Sequence, residues 1–167
     1  MIKIAITGPE SCGKTTLAEA LSHHFDVDYI PEFARSFLTE LDRDYTFFDL
    51  DAIAEGQLRS TCAKVGQPFM ISDTEMLVLK IWSEFKFNNC SPYIEQLWEE
   101  QDFDLYVLCS PDIPYEDDPL RENPKDREEL FQLYLNELEN SDRKFIVVRG
   151  DVNSRLDEIL LAIEQLK

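Results

Sequence analysis

The residues most able to do chemistry stand near the start of the chain. Gly8-Pro9-Glu10-Ser11-Cys12-Gly13-Lys14-Thr15 fits the spacing GxxxxGK[ST] in full. Gly8 lets the backbone turn sharply, and Gly13 lets it approach a phosphate without a Cβ in the way. The amides of Glu10, Ser11, Cys12 and their neighbours point inward as an anion nest, with the positive end of the following helix behind them. The Lys14 ammonium can reach β- and γ-phosphates, the Thr15 hydroxyl can ligate Mg2+, and Thr16 is placed for the α-phosphate. This pattern predicts binding of a nucleoside triphosphate with Mg2+ and leaves the reaction open.

Sorting by reaction class narrows it. No NKxD guanine-reading segment occurs, and the run 69–72 ends in Asp73-Thr74-Glu75 rather than in the adjacent Asp-Glu of a motor ATPase. A kinase, with a bound hydroxyl attacking the γ-phosphate, is the class left. Pro31-Glu32-Phe33-Ala34-Arg35 follows a strand-like run, where ligands of open α/β sheets bind. Glu32 there either accepts the proton of the attacking hydroxyl or holds the acceptor's sugar, while Arg35 offsets charge on the transferred group. An i, i+3 surface ion pair between them is the plainer alternative. Asp73 is read as a Mg2+ ligand through water, an orienting group or a base, with capping of a helix from Thr74 as the structural alternative. The proline-spaced stretch 112–127 is expected to be a lid that lowers Arg121 and Arg127 onto the phosphates. Gly150 and Asp151 are expected to frame an adenine.

These groups need a scaffold. Five short apolar runs, Ile2–Thr7, 28–30, 69–72, Leu105–Cys109 and Phe145–Val148, read as strands buried on both faces. Helical stripes fill the gaps: Leu17, Leu21, Phe25; Leu77, Ile81, Phe85; Leu130, Phe131, Tyr134, Leu138; and Leu156, Ile159, Leu160, Ile163. Ser154-x-x-Asp157 reads as the capping box of the last of these. The alternation predicts one α/β domain over 1–167, three-layered, with a parallel five-stranded sheet ordered 2-3-1-4-5 counting the runs along the chain.

Charge sharpens the expectation. The 167 residues carry 16 Lys+Arg against 34 Asp+Glu, a formal −18. Such a field repels a nucleic-acid backbone and an anionic bilayer, so the expected partner is a small molecule, not nucleic acid or membrane. The acids concentrate between 95 and 129, away from the phosphate loop, and read as a solvated surface. The chain shows no signal-peptide pattern and no apolar run long enough to span a bilayer. Cys12, Cys62, Cys90 and Cys109 form no CxxC pair and are expected to be free thiols in a reducing cytoplasm. His23 and His24 diverge by about 100° on a helix and are read as solvent-facing rather than as metal ligands.

The ordered segments GPESCGKTTLAEAL, PEFAR, DLDAIAEGQ, SDTE and DIPYEDDPLREN resemble the nicotinamide riboside kinase domain of NadR-type proteins, over essentially the whole chain. The resemblance implies a P-loop kinase fold. It also implies Mg-ATP-dependent phosphorylation of the ribose 5′-hydroxyl of nicotinamide riboside, giving nicotinamide mononucleotide. It implies a nucleotide cradle at 8–16, acceptor roles for Glu32, Arg35 and Asp73, a lid arginine at Arg121, and acceptor-ring contacts from Gln57 and Tyr115. It departs at Cys12 and Thr15, where the family loop commonly reads GESSGKS; at Glu75, often Asp; at Tyr115, where many members have Trp; and at Pro119, where some have Gly. The upstream adenylyltransferase domain of the family is not expected in a chain that opens on the kinase strand. Another nucleoside or a thiamine-like alcohol as acceptor, and an ATP-responsive switch, are the alternative functions.

Overall fold

The computed structural model describes residues 1–63 and 66–166. Four parallel strands, β1 (Ile2–Thr7), β2 (Phe69–Asp73), β3 (Leu105–Cys109) and β4 (Phe145–Val148), form one sheet in the order β2-β1-β3-β4. Around it lie α1 (Lys14–Phe25), α2 (Phe33–Glu40), α3 (Asp49–Cys62), α4 (Met76–Phe87), α5 (Pro92–Glu100), α6 (Arg127–Glu139) and α7 (Val152–Glu164). No helix among the described residues is long and apolar enough to cross a membrane.

Strand periodicity divides the core in two. Ile4 and Ile6 of β1, with Leu105, Val107 and Cys109 of β3, pack with Leu17 and Leu21 of α1 and Ile159 and Ile163 of α7. Ala5, Tyr106 and Leu108 point the other way, into a larger cluster built from α3 to α6, including Leu77, Ile94, Trp98 and Tyr134. Central β1 is thus covered on both faces, which fixes the height at which its C-terminal loop emerges.

The expected five-stranded sheet is corrected to four. Run 28–30 contributes a single parallel bridge, Ile30 to Ser72, in which Ile30 N donates to Ile71 O at 2.8 Å and Asp73 N to Ile30 O at 2.8 Å. The ladder stops there because Glu32, the next residue whose backbone would face β2, is the N-cap of α2. The last helix also starts earlier than its expected cap. Asp151 is the N-cap, accepting from Ser154 N at 2.9 Å, so Ser154 lies inside the first turn.

Candidate functional site

The loop between β1 and α1 arches around one ammonium. Gly8 has φ 131° and Gly13 φ 84°. A Cβ on Gly8 would stand 2.8 Å from the Cys109 carbonyl oxygen, so only glycine fits there. Lys14 Nζ donates to Gly8 O at 2.9 Å and Pro9 O at 2.7 Å. Burial disfavours its charge, but Cys12, Glu32 and Asp73 outweigh that and raise its pKa. The Cys12 thiol is itself lowered to about 7: burial opposes ionisation, while Cys109, Lys14 and Arg155 favour it. The first turn of α1 holds no acid, so its positive end faces the loop uncompensated.

Thr15 Oγ1 donates to Asp73 Oδ2 at 2.7 Å, and Asp73 Oδ1 is buried without a hydrogen-bond partner. Behind Asp73 the chain turns through Thr74 at φ 73°, an unusual conformation for a β-branched residue. The cap of α4 is Glu75, whose carboxylate accepts from Leu77 N at 2.7 Å, so Asp73 does not serve as that cap. Burial raises the Asp73 carboxyl pKa against the pull of Thr15, Lys14 and Arg35. A hydroxyl and a carboxylate with one oxygen to spare are hard donors that suit Mg2+, which keeps most of its waters. Among the described residues no group of three or more His, Cys, Asp or Glu could hold a metal alone.

A cavity of about 210 Å3 runs from this loop to an aromatic wall. Residues 8–16 line it together with Leu38, Val78, Ile81, Trp82, Phe85 and Tyr134, and Glu32, Arg35 and Arg121 also face it. Glu32 stands at the start of α2 without capping it. Burial pushes its pKa up, Asp73 adds to the push, and Lys14, Arg35 and Arg121 oppose it. Arg35 Nη1 pairs with Asp118 of segment 112–127 at 2.9 Å rather than with Glu32. The i, i+3 pair is not formed.

Segment 112–127 lies over the loop. Glu116 N donates to Ser11 Oγ at 2.8 Å, Glu122 N to Glu10 Oε2 at 3.1 Å, and Asn123 N to Glu10 Oε1. Arg121 Nη1 reaches Ser11 Oγ at 3.2 Å and also bonds Glu116 O. Arg127 does not line the cavity. It braces the base of this segment, donating to Ser11 O at 2.9 Å and Ile113 O at 3.1 Å.

Three further expectations move. Gln57 is buried away from the cavity: its Oε1 accepts from Phe33 N at 2.8 Å, and so it holds the start of α2. Tyr115 is outside the cavity too, with its ring under Arg127 at 5.5 Å. The aromatic wall comes instead from Phe85 and Tyr134, on helical stripes that by sequence read only as core, and from Trp82, which the sequence did not single out. Gly150 and Asp151 also lie outside the cavity lining. Gly150 N donates to Asp112 Oδ2 at 2.7 Å, and Asp151 caps α7.

Sequence reasoning missed Arg155. Its guanidinium is 2% exposed and donates to Cys12 O at 2.5 Å, Ser110 O at 3.0 Å, Gly150 O at 2.9 Å and Asp112 Oδ1 at 2.6 Å. It buttresses the phosphate loop from beneath. A signal was present, since Arg155 shares the 155, 159, 163 face of an otherwise apolar stripe.

The sequence matches the AAA_28 family, described as an AAA domain, over residues 3–155. It is 27% identical over 161 residues to the trifunctional NAD biosynthesis/regulator protein NadR of Escherichia coli, covering 91% of this chain and 39% of that protein. Its Salmonella typhimurium counterpart is 25% identical over 154 residues, covering 87% of this chain and 38% of that one. The chain therefore spans about two fifths of the length of these relatives. In fold it resembles NadR protein in complex with NR, with TM-score 0.83 and 21% identity over 99% of this chain and 51% of the other. It also resembles deoxyadenosine kinase from M. mycoides with dCMP and dCDP bound, with TM-score 0.67 and 17% identity over 98% and 100%.

Proposed function

The chain belongs to the AAA_28 family, and on that premise we propose that it is a small-molecule kinase. It transfers the γ-phosphoryl group of ATP to the 5′-hydroxyl of nicotinamide riboside, giving nicotinamide mononucleotide in the cytoplasm. One observation carries this reading: a single cavity is lined both by the phosphate loop and by an aromatic-walled chamber, and Glu32 lines it too. Water as acceptor needs no apolar chamber; a nucleoside does. The likeness to NadR favours nicotinamide riboside, and the net charge of −18 suits an acceptor with a cationic ring. The likeness in fold to deoxyadenosine kinase favours, as a second reading, another nucleoside in the same chamber.

In this proposal residues 1–167 are one domain and 112–127 is its lid. The loop amides, Lys14 and Arg121 hold the triphosphate and offset the charge of the transferring group. Thr15 and Asp73 would hold Mg2+, which when bound neutralises charge on the β- and γ-phosphates. Glu32, its pKa raised towards the working range of a base, takes the proton from the acceptor hydroxyl, while Arg35 orients the acceptor. Positioning does most of the work.

The test is transfer from labelled ATP to a panel of nucleosides and vitamins. Nicotinamide riboside should be the best acceptor, and Lys14→Ala should abolish transfer while leaving a folded protein. Equal ATP hydrolysis with and without every alcohol, or near-normal transfer by Lys14→Ala, would overturn the proposal.

A further inference from the structure

Tyr45 lies between α2 and α3, in a stretch to which phosphate chemistry assigns nothing, yet its hydroxyl is a three-way junction. Trp82 Nε1 lies 2.9 Å from it, Lys86 Nζ 2.5 Å and Glu122 Oε2 2.5 Å. A phenol has one proton to give and two lone pairs to accept with. Indole N–H and ammonium can only donate, so the hydroxyl accepts from both and its proton must go to Glu122. Nothing is left over. Lys86 also sits 3.9 Å above the Tyr45 ring and bonds both Glu122 oxygens, at 2.7 and 2.9 Å. The Tyr45 and Trp82 rings meet edge to face at 5.0 Å.

The three partners belong to different parts of the site. Trp82 is part of the aromatic wall of the chamber. Glu122 is on the lid, lines the same cavity, and through its backbone N–H is held by Glu10 of the phosphate loop. We infer that Tyr45 is a positioning residue that couples docking of the lid on the phosphate loop to the orientation of the Trp82 wall, so that the acceptor chamber takes shape only when the lid is down. The inference rests on the kinase reading for its kinetic consequence, though not for the coupling itself. The junction keeps its proton: burial, and then the bond to Glu122, push the Tyr45 pKa well above its ordinary value.

Tyr45→Phe, Glu122→Gln and the double variant test this, with Tyr93→Phe as control. Tyr93 makes the same kind of bond, to Glu55, outside the cavity lining. The first readout, independent of turnover, is hydrogen exchange at the amides of Glu122 and Asn123. Tyr45→Phe, which removes one charge-assisted bond at a half-exposed site, should exchange about tenfold faster there, and Glu122→Gln, which also weakens the two contacts to Lys86, at least as fast. The double variant should be no faster than the faster single, because both changes break one junction. The second readout is kinetic: the acceptor KM should rise about tenfold, and by more than the ATP KM, which the lid touches only through Arg121. Unchanged exchange in Tyr45→Phe, or a double-variant effect equal to the product of the singles, overturns the coupling. If the wild-type protein phosphorylates no nucleoside, the kinase reading falls, and the exchange data still decide the role of Tyr45.

Discussion

Replacing Arg155 with methionine should cost more than any surface change and should strike nucleotide binding at the same time. Methionine fills the space of the arginine stem but donates no hydrogen bond. The substitution strands the carbonyls of Cys12 and Ser110, frees that of Gly150, and leaves the Asp112 carboxylate with the Gly150 N–H as its remaining partner; all are now served by one arginine that is 2% exposed. Removing one partner from a buried ionic network costs about 3–5 kcal/mol. Against a domain stability of about 5–15 kcal/mol, that is a large share. With a melting-point change of about 2–4 °C per kcal/mol at this size, the fall in Tm should be about 6–20 °C. Arg155→Lys keeps the charge but not the fork and should lie between the two. Denaturant titration gives the stability change, and ATP titration at a temperature where the variant is folded gives the effect on the loop. A loss under about 1 kcal/mol with unchanged ATP affinity would show that the loop does not depend on this buttress.

Two further outcomes follow from the site. Gly8→Ala should destabilise by more than about 1 kcal/mol, because φ 131° is strained for alanine. The new methyl would press on the Cys109 carbonyl, so kcat/KM should also fall about 100-fold from displacement of the loop, read by steady-state kinetics. Glu32→Gln should lower kcat by about 10²–10⁴-fold while stabilising the fold at neutral pH. The sign follows from its raised pKa. The stability contributed by protonated Glu32 is fully present below the unfolded value of 4.5 and is lost as pH rises through the higher folded value. The stability difference between variant and wild type should therefore grow with pH over that window; a flat difference would refute it.

Features set by local constraint were legible in the sequence, and features set by meetings of distant segments were not. The phosphate loop reads directly, because its spacing encodes a turn, a close approach and a point charge within eight residues. Strands β1, β3 and β4 read to the residue, since continuous apolar runs of four to six have few other uses. Run 28–30 looked like a fifth strand by the same logic, but α2 opens from Glu32, two residues beyond Ile30, and limits it to one bridge. Gln57 and Tyr115 came from family resemblance; the first is used by the Phe33 amide and the second stacks under Arg127. Trp82 follows Ile81 directly and so falls off the spacing that marked its helix. Helix stripes say which face is covered, and only the fold says whether the cover is protein or a ligand chamber.

Sheet order also carries a consequence for biosynthesis. β1 is made early, yet its partners are β2 and β3, and the registers Ile2 to Phe69 and Ile4 to Leu105 span most of the chain. The contact that underpins the phosphate loop, Arg155 to Cys12, joins residues 143 positions apart. On a ribosome adding about 5–20 residues per second, the loop motif therefore waits several seconds for its last support. Nucleotide can stabilise only what already binds it, so ATP cannot chaperone the emerging chain through that interval. The N-terminal strand must be kept from other partners by the chain itself or by the cell's holdases, and a pause in translation before Arg155 would lengthen that exposure.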